Sequence, residues 1–148
     1  MKKIIFTLVL FSSFFSNAQI YDPVTWSTSV KKISDTEYEL IAEAIIADNW
    51  HLYSQFVPED GPLPTTFSFE GNANYLKKGN TKEEKGHVVD DPIFDMEIKY
   101  FESKATFAQR IKLRGKKGFK INAVVEFMVC NNTQCLPPKE QELTFEIK

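Results

Sequence analysis

Cysteine is nearly absent from this 148-residue chain, which holds two, Cys130 and Cys135. That scarcity excludes a disulfide-built scaffold and any four-cysteine metal site. Histidine is as rare: His51 and His87 are far apart in sequence and neither sits beside a CxxC, so no zinc site, no other metal and no cofactor is expected. Neither sign of charge dominates, with 18 basic and 20 acidic residues mixed along the chain for a net −2. Such a balance excludes the basic stripe of a nucleic-acid binder and gives no strong electrostatic pull toward a membrane. A sustained apolar run occurs once, "IIFTLVLFSSFF", behind the basic start "MKK" and ahead of the small residues "SNA". It is short for a bilayer span, and nothing of about 20 apolar residues follows it.

What is there reads first as an address. Basic start, apolar run and small residues together form a signal peptide over residues 1–18, with cleavage expected after Ala18 and export to the periplasm. Loss of Lys2 and Lys3 shifts the charge to −4, and no cysteine follows the cut to support a lipid anchor. The remaining residues, 19–148, suit one domain, long enough to bury a core without help from disulfides.

Helical periodicity is also lacking downstream, where short runs alternate apolar and polar between turn residues. "VTWSTSVKKI" puts Val24, Trp26 and Val30 on one face, and "EYELIAEAII" does the same for Tyr38, Leu40, Ala42, Ala44 and Ile46; "SDTE" between them makes a hairpin. Strands are also expected at "TTFSFEG", near "NYLKKG", at "ATFAQRIKL", at "FKINAVVEFMV" and at "ELTFEIK", while "RGKKG" is a tight turn. "NTKEEKG" reads as a solvated loop and "HVVDDPIFDMEIKYFESK" as an irregular stretch. Seven to nine strands at this spacing predict an all-β, two-sheet antiparallel sandwich, with its Phe residues mostly filling the space between the sheets.

The two cysteines lie in "VVEFMVCNNTQCLPP", with four residues between them at a strand end. In an exported chain they form one disulfide most simply. As a staple it is weak, because closing so small a ring contributes only about 2 kcal/mol, against about 4.7 for a 100-residue loop. As a redox couple it has polar neighbours that leave the sulfurs accessible, and Pro137 and Pro138 stiffen the exit. Chemistry alone leaves both readings open: a thiol–disulfide exchange module, or an exported sandwich that binds a ligand or protein and carries a structural bridge. Without a CxxC or alternating strands and helices, the chain is not itself a thioredoxin.

"FMVCNNTQCLPPKEQELTFEI" resembles the last two strands and the active-site loop of the N-terminal periplasmic domain of the thiol:disulfide interchange protein DsbD. "DNWHLYSQ" and "DDPIFDMEIKY" match two further segments of that family in order, so the resemblance runs from about Tyr21 to Lys148. It implies an immunoglobulin-like sandwich whose cysteine pair takes electrons from a thioredoxin-fold partner and passes them on through transient mixed disulfides. Cys135 would be the sulfur that exchanges and Cys130 its resolver. The family's two aromatic positions beside the pair fall on His51 and Tyr53, its acidic pair on Asp90 and Asp91, and its cap aromatic on Pro92 or Phe94. Four residues separate the cysteines here where the family pattern has five, and His51 replaces a phenol with a group that titrates near neutrality. The family's membrane electron conductor and thioredoxin-like domain have no counterpart in this sequence, so a separate membrane conductor is expected as a partner.

Plainer readings of the same positions also stand. Trp50 and Tyr53 suit a core, His51 alternates with Trp50 and would face solvent, and Asp90 and Asp91 suit a turn before Pro92. "NNT" at Asn131 matches a glycosylation sequon, but a glycan there would block the cysteines.

Overall fold

A computed structural model describes residues 21–148, so the expected signal peptide and its cleavage after Ala18 lie outside the described residues. Among the described residues no helix is long and apolar enough to cross a membrane. Eleven strands follow in order: β1 Val24–Lys32, β2 Glu37–Ile46, β3 His51–Tyr53, β4 Thr66–Phe69, β5 Tyr75–Glu83, β6 His87–Asp91, β7 Met96–Glu102, β8 Lys104–Leu113, β9 Phe119–Phe127, β10 Val129–Cys130 and β11 Lys139–Ile147. All pairings are antiparallel, in sheets ordered β1-β2-β8-β5, β11-β9-β4 and β10-β3-β7-β6. The fold is an all-β sandwich, as the alternation predicted.

Period-two patterning decides what is buried. On β2 the residues Tyr38, Leu40, Ala42, Ala44 and Ile46 point inward, and β8 answers with Ala105, Phe107, Ile111 and Leu113. Opposite them, β9 and β11 bury Ile121, Ala123, Val125, Phe127, Leu143, Phe145 and Ile147. The aromatics interlock at the centre: Trp26 lies 5.8 Å from Phe107 and 5.5 Å from Phe127, and Phe101 meets Phe107 edge-on at 5.6 Å. Phe56 stays exposed, and Phe94 sits in a turn outside this core.

The architecture differs from the sequence expectation in three places. The stretch "NTKEEKG" is not all loop, because β5 continues through Glu83 beyond a register shift between Lys78 and Lys82. The buried amide of Gln109 fills that irregularity, donating to the carbonyls of Lys78 and Gly79 and accepting from Thr81 Oγ1. The "irregular" stretch after it is the β6–β7 hairpin. Its alternation is hidden in sequence by the turn Pro92–Asp95, which puts Pro, Phe and an acid between the strands. The expected two sheets become three hydrogen-bonded units because the chain breaks at Met128 between β9 and β10.

That third sheet has a second face. Leu52, Phe101 and Val129 point into the main core, whereas Tyr53, Ile98 and Cys130 point away and form a separate small core. Strand β3 is therefore buried on both sides.

Candidate functional site

Cys130 and Cys135 form a disulfide that closes a tight hairpin, their Cα atoms 4.0 Å apart. The backbone N–H of Leu136 donates to Val129 O, that of Asn131 to Gln134 O, and the cysteines are direct partners between these two bonds. Their spacing is close to the about 4.5 Å of a non-hydrogen-bonded antiparallel pair. The turn is held independently of the sulfurs. Asn131 Oδ1 accepts from Thr133 N, Thr133 Oγ1 and Gln134 N, each at 2.9 Å. The two sulfurs differ in access, since Cys130 is fully buried and Cys135 is only partly covered.

Strand register explains what surrounds them. Direct partners share a face, so Cys130, His51 and Glu102 form one row across β10, β3 and β7. Tyr53, Tyr100 and His87 form the next row across β3, β7 and β6. Asp91, four residues beyond His87 on β6, is on the same face, and Asp90 is on the other.

The side chains close a network there. Tyr53 Oη donates to Asp91 Oδ2 at 2.9 Å, His51 Nε2 lies 3.2 Å from Tyr53 Oη and 3.7 Å from Asp91 Oδ2, and all three residues are buried. The His51 ring stacks on Tyr100 with centroids 4.4 Å apart. Burial, reinforced by the hydrogen bond to Asp91, raises the Tyr53 phenol far above its ordinary value, which keeps it a donor. Burial lowers the His51 imidazole below 6.5, against the opposing pull of Asp91 and Glu102. His51 is thus not the exposed neighbour of Trp50 that alternation suggested, because β3 has no solvent face.

The other carboxylate oxygen of Asp91 shapes the turn after β6. Asp91 Oδ1 accepts from the N–H groups of Ile93 and Phe94 at 2.8 and 3.2 Å, and Asp95 N donates to Asp91 O. The turn so formed lays Phe94 edge-on against Tyr53, centroids 6.0 Å apart, and over the small core that includes both cysteines. Pro92 is exposed, so Phe94 is the residue that meets Tyr53. Asp90 is also exposed and takes no part in these contacts, whereas Asp91 is far more than a turn carboxylate. Among the described residues no group of three or more His, Cys, Asp and Glu is placed to hold a metal ion.

Tyr100, Met96, Met128 and Val57 complete the lining, and sequence reasoning missed them. The signal for two of them was present, since Met96, Ile98 and Tyr100 alternate with Glu97, Lys99 and Phe101 once that stretch is read as a strand. Glu83 was missed too, because it sits in the expected loop. Its carboxylate accepts from Ser54 Oγ at 2.5 Å, Gln55 N at 2.8 Å and Lys99 Nζ at 2.7 Å, and so pins the end of β3 just after Tyr53. Thr65 Oγ1 adds a bond to Tyr53 O at 2.6 Å. Glu83→Ala strands those donors, and a loss of about 2–4 kcal/mol is expected in a urea unfolding curve. Gly86 serves the same end: a Cβ there would lie 2.6 Å from Tyr100 O and 2.9 Å from the Phe101 ring, so only glycine lets the chain pass β7 so closely.

Comparison with known proteins agrees with this geometry. A family model described as thiol:disulfide interchange protein DsbD, N-terminal, matches residues 22–147. Among solved structures, the reduced DsbD N-terminal domain of Neisseria meningitidis is 16% identical, with a TM-score of 0.52, covering 80% of this chain and 83% of that one. The N-terminal periplasmic domain of ScsB from Proteus mirabilis is 15% identical with a TM-score of 0.57, covering 82% of this chain and 44% of that one. A complex between the DsbD and PilB N-terminal domains of N. meningitidis matches at 15% identity and a TM-score of 0.51, covering 80% of each chain. No curated protein sequence matches the chain. At these identities the structures speak for the fold, and the family model for descent: the chain belongs to the DsbD N-terminal family of thiol:disulfide interchange domains.

Proposed function

We propose that this protein is a periplasmic electron-transfer module in which Cys130 and Cys135 cycle between disulfide and dithiol. The observation that carries the reading is the unequal access of two sulfurs in a turn that also has its own hydrogen bonds. A thiolate of a thioredoxin-fold donor attacks Cys135, the Cys130–Cys135 bond breaks, and Cys130 leaves with the electron pair. A second donor thiol releases the dithiol form. The reduced pair then passes two electrons to an oxidised periplasmic protein by the reverse sequence, with Cys135 attacking and Cys130 resolving. One structural neighbour is a DsbD N-terminal domain in complex with a PilB N-terminal domain, and that pairing supports a protein partner for this domain.

The turn Asp91–Asp95 is the cap. Phe94 over Tyr53 shields the couple, and the Asp91 hydrogen bonds make the shield a defined structure that a partner displaces as a unit. His51, Tyr53 and Asp91 line the couple's buried side, while Asp90 faces away and has no role in the exchange.

The test is the equilibrium of the pair with glutathione or dithiothreitol, followed by alkylation and mass. Because Asn131 and the backbone keep the hairpin shaped in the dithiol form, a potential well above about −300 mV is expected. A value below that, where structural bridges of secreted proteins lie, would assign the bridge to stability and leave an exported binding sandwich as the better account.

A further inference from the structure

The hydrogen-bond chain in the small core fixes which nitrogen of His51 carries its hydrogen. Tyr53 has one hydroxyl hydrogen and gives it to Asp91 Oδ2 at 2.9 Å. Its oxygen can therefore only accept from His51 Nε2, 3.2 Å away. A neutral imidazole with its hydrogen on Nε2 has its lone pair on Nδ1. The ring itself is held in place by the stack on Tyr100. Directly across the strand pair from His51, on the same face, is Cys130. Partners of this kind hold their Cβ atoms about 4.5–5.5 Å apart, within reach of an imidazole and a thiol.

We propose that His51 is the general base of the resolving step, accepting the Cys130 proton on Nδ1. The proposal rests on the redox reading of the pair. With a partner joined to Cys135, the Cys130 thiol gives its proton to His51 as its sulfur attacks Cys135 Sγ. The Cys130–Cys135 bond forms, the bond to the partner breaks, and the partner sulfur leaves with the electron pair and collects the proton in turn. The partner is reduced and this protein is oxidised. In the opposite direction, imidazolium returns the proton to Cys130 as it leaves. Asp91, reached through Tyr53 and 3.7 Å from Nε2, stabilises the transient imidazolium.

The groups that face His51 are Cys130 from β10, Tyr53 from its own strand, Tyr100 and Glu102 from β7, and Asp91 from the end of β6. Glu102 and Asp91 favour the protonated ring, but burial outweighs them, so His51 rests neutral near pH 7 and is ready to accept a proton. A fully buried thiol such as Cys130 ionises poorly unaided, because burial disfavours the thiolate. A neutral base beside it removes that obstacle.

The chromogenic disulfide dithiobis(nitrobenzoate) separates the two steps. Added to the reduced protein, it forms a mixed disulfide on Cys135 and releases one thionitrobenzoate; attack by Cys130 then releases a second. His51→Gln keeps a donor for Tyr53 but takes no proton, and His51→Tyr keeps the ring and a hydroxyl. In either variant the second release is expected to slow by roughly 10- to 100-fold at pH 7, with the first unchanged. Its rate should now climb tenfold per pH unit through the neutral and mildly alkaline range, following the thiol's own ionisation, where the wild type is nearly flat above the His51 titration. With two variants of different shape, instability of one leaves the other to decide. A second phase with wild-type rate and pH profile in a folded variant overturns the proposal, as does equal slowing of both phases. A wild type that releases no second thionitrobenzoate overturns the redox reading, and the proposal with it.

Discussion

Cys130→Ser protein incubated with periplasmic extract is expected to accumulate mixed disulfides through Cys135, while Cys135→Ser accumulates none. The asymmetry follows from access. Cys130 is fully buried within the small core, and Cys135 alone has surface for an incoming sulfur. Removing Cys130 takes away the neighbouring nucleophile that would clear the adduct. A positioned intramolecular thiol outcompetes millimolar external thiol by a factor on the order of 10³ or more, so the adducts should persist for minutes to hours. Non-reducing electrophoresis and mass spectrometry of the captured species read the result, and thioredoxin-fold proteins are the expected catch. Equal trapping by both variants would contradict the division of labour between the two sulfurs, and trapping by neither would contradict exchange altogether.

Asp91→Ala should produce the largest change among substitutions outside the cysteines, and Asp90→Ala almost none. Asp91 holds two structures at once: one oxygen receives Tyr53, and the other receives the N–H groups of Ile93 and Phe94. Its loss leaves a buried phenol and two turn donors without their acceptor, a cost of about 2–4 kcal/mol even after water enters. The cap should loosen with it, so that a bulky alkylating reagent reaches the reduced Cys135 about tenfold faster, equivalent to a local opening free energy lowered by about 1.4 kcal/mol out of that total. Asp90, exposed on the opposite face of the same strand, should stay within about 0.5 kcal/mol of wild type and react at the wild-type rate. Unfolding midpoints and alkylation rates of the two variants, side by side, make the comparison. If the two behave alike, the cap is not held by Asp91.

The long strands were readable because each carries its own instruction. Tyr38 to Ile46 and Ile121 to Val129 alternate over enough residues that one face must be apolar whatever they pair with. The cysteine hairpin was readable for a similar reason: Asn131 is a local turn former, and the whole device fits within a few residues. Strand β3 misled because alternation assumes one wet face. Trp50, His51, Leu52 and Tyr53 are all buried, and nothing in "WHLY" announces a strand sandwiched between two cores. Glu83 misled for the opposite reason, since a carboxylate in "NTKEEKG" looks solvated until Lys99, Ser54 and Gln55 arrive from other segments to bind it.

By itself, then, the sequence determined the all-β class, the inward faces of the long strands and the position of a short-looped cysteine pair, since all of these depend on neighbours within about ten residues. Tertiary structure alone decided that Asp91 and not Asp90 faces the site, that Phe94 meets Tyr53, and that His51 lies opposite Cys130. Each of these depends on register between strands tens of residues apart in the chain. A shift of one residue would send every one of those side chains to the other face, and local pattern has no means of setting it.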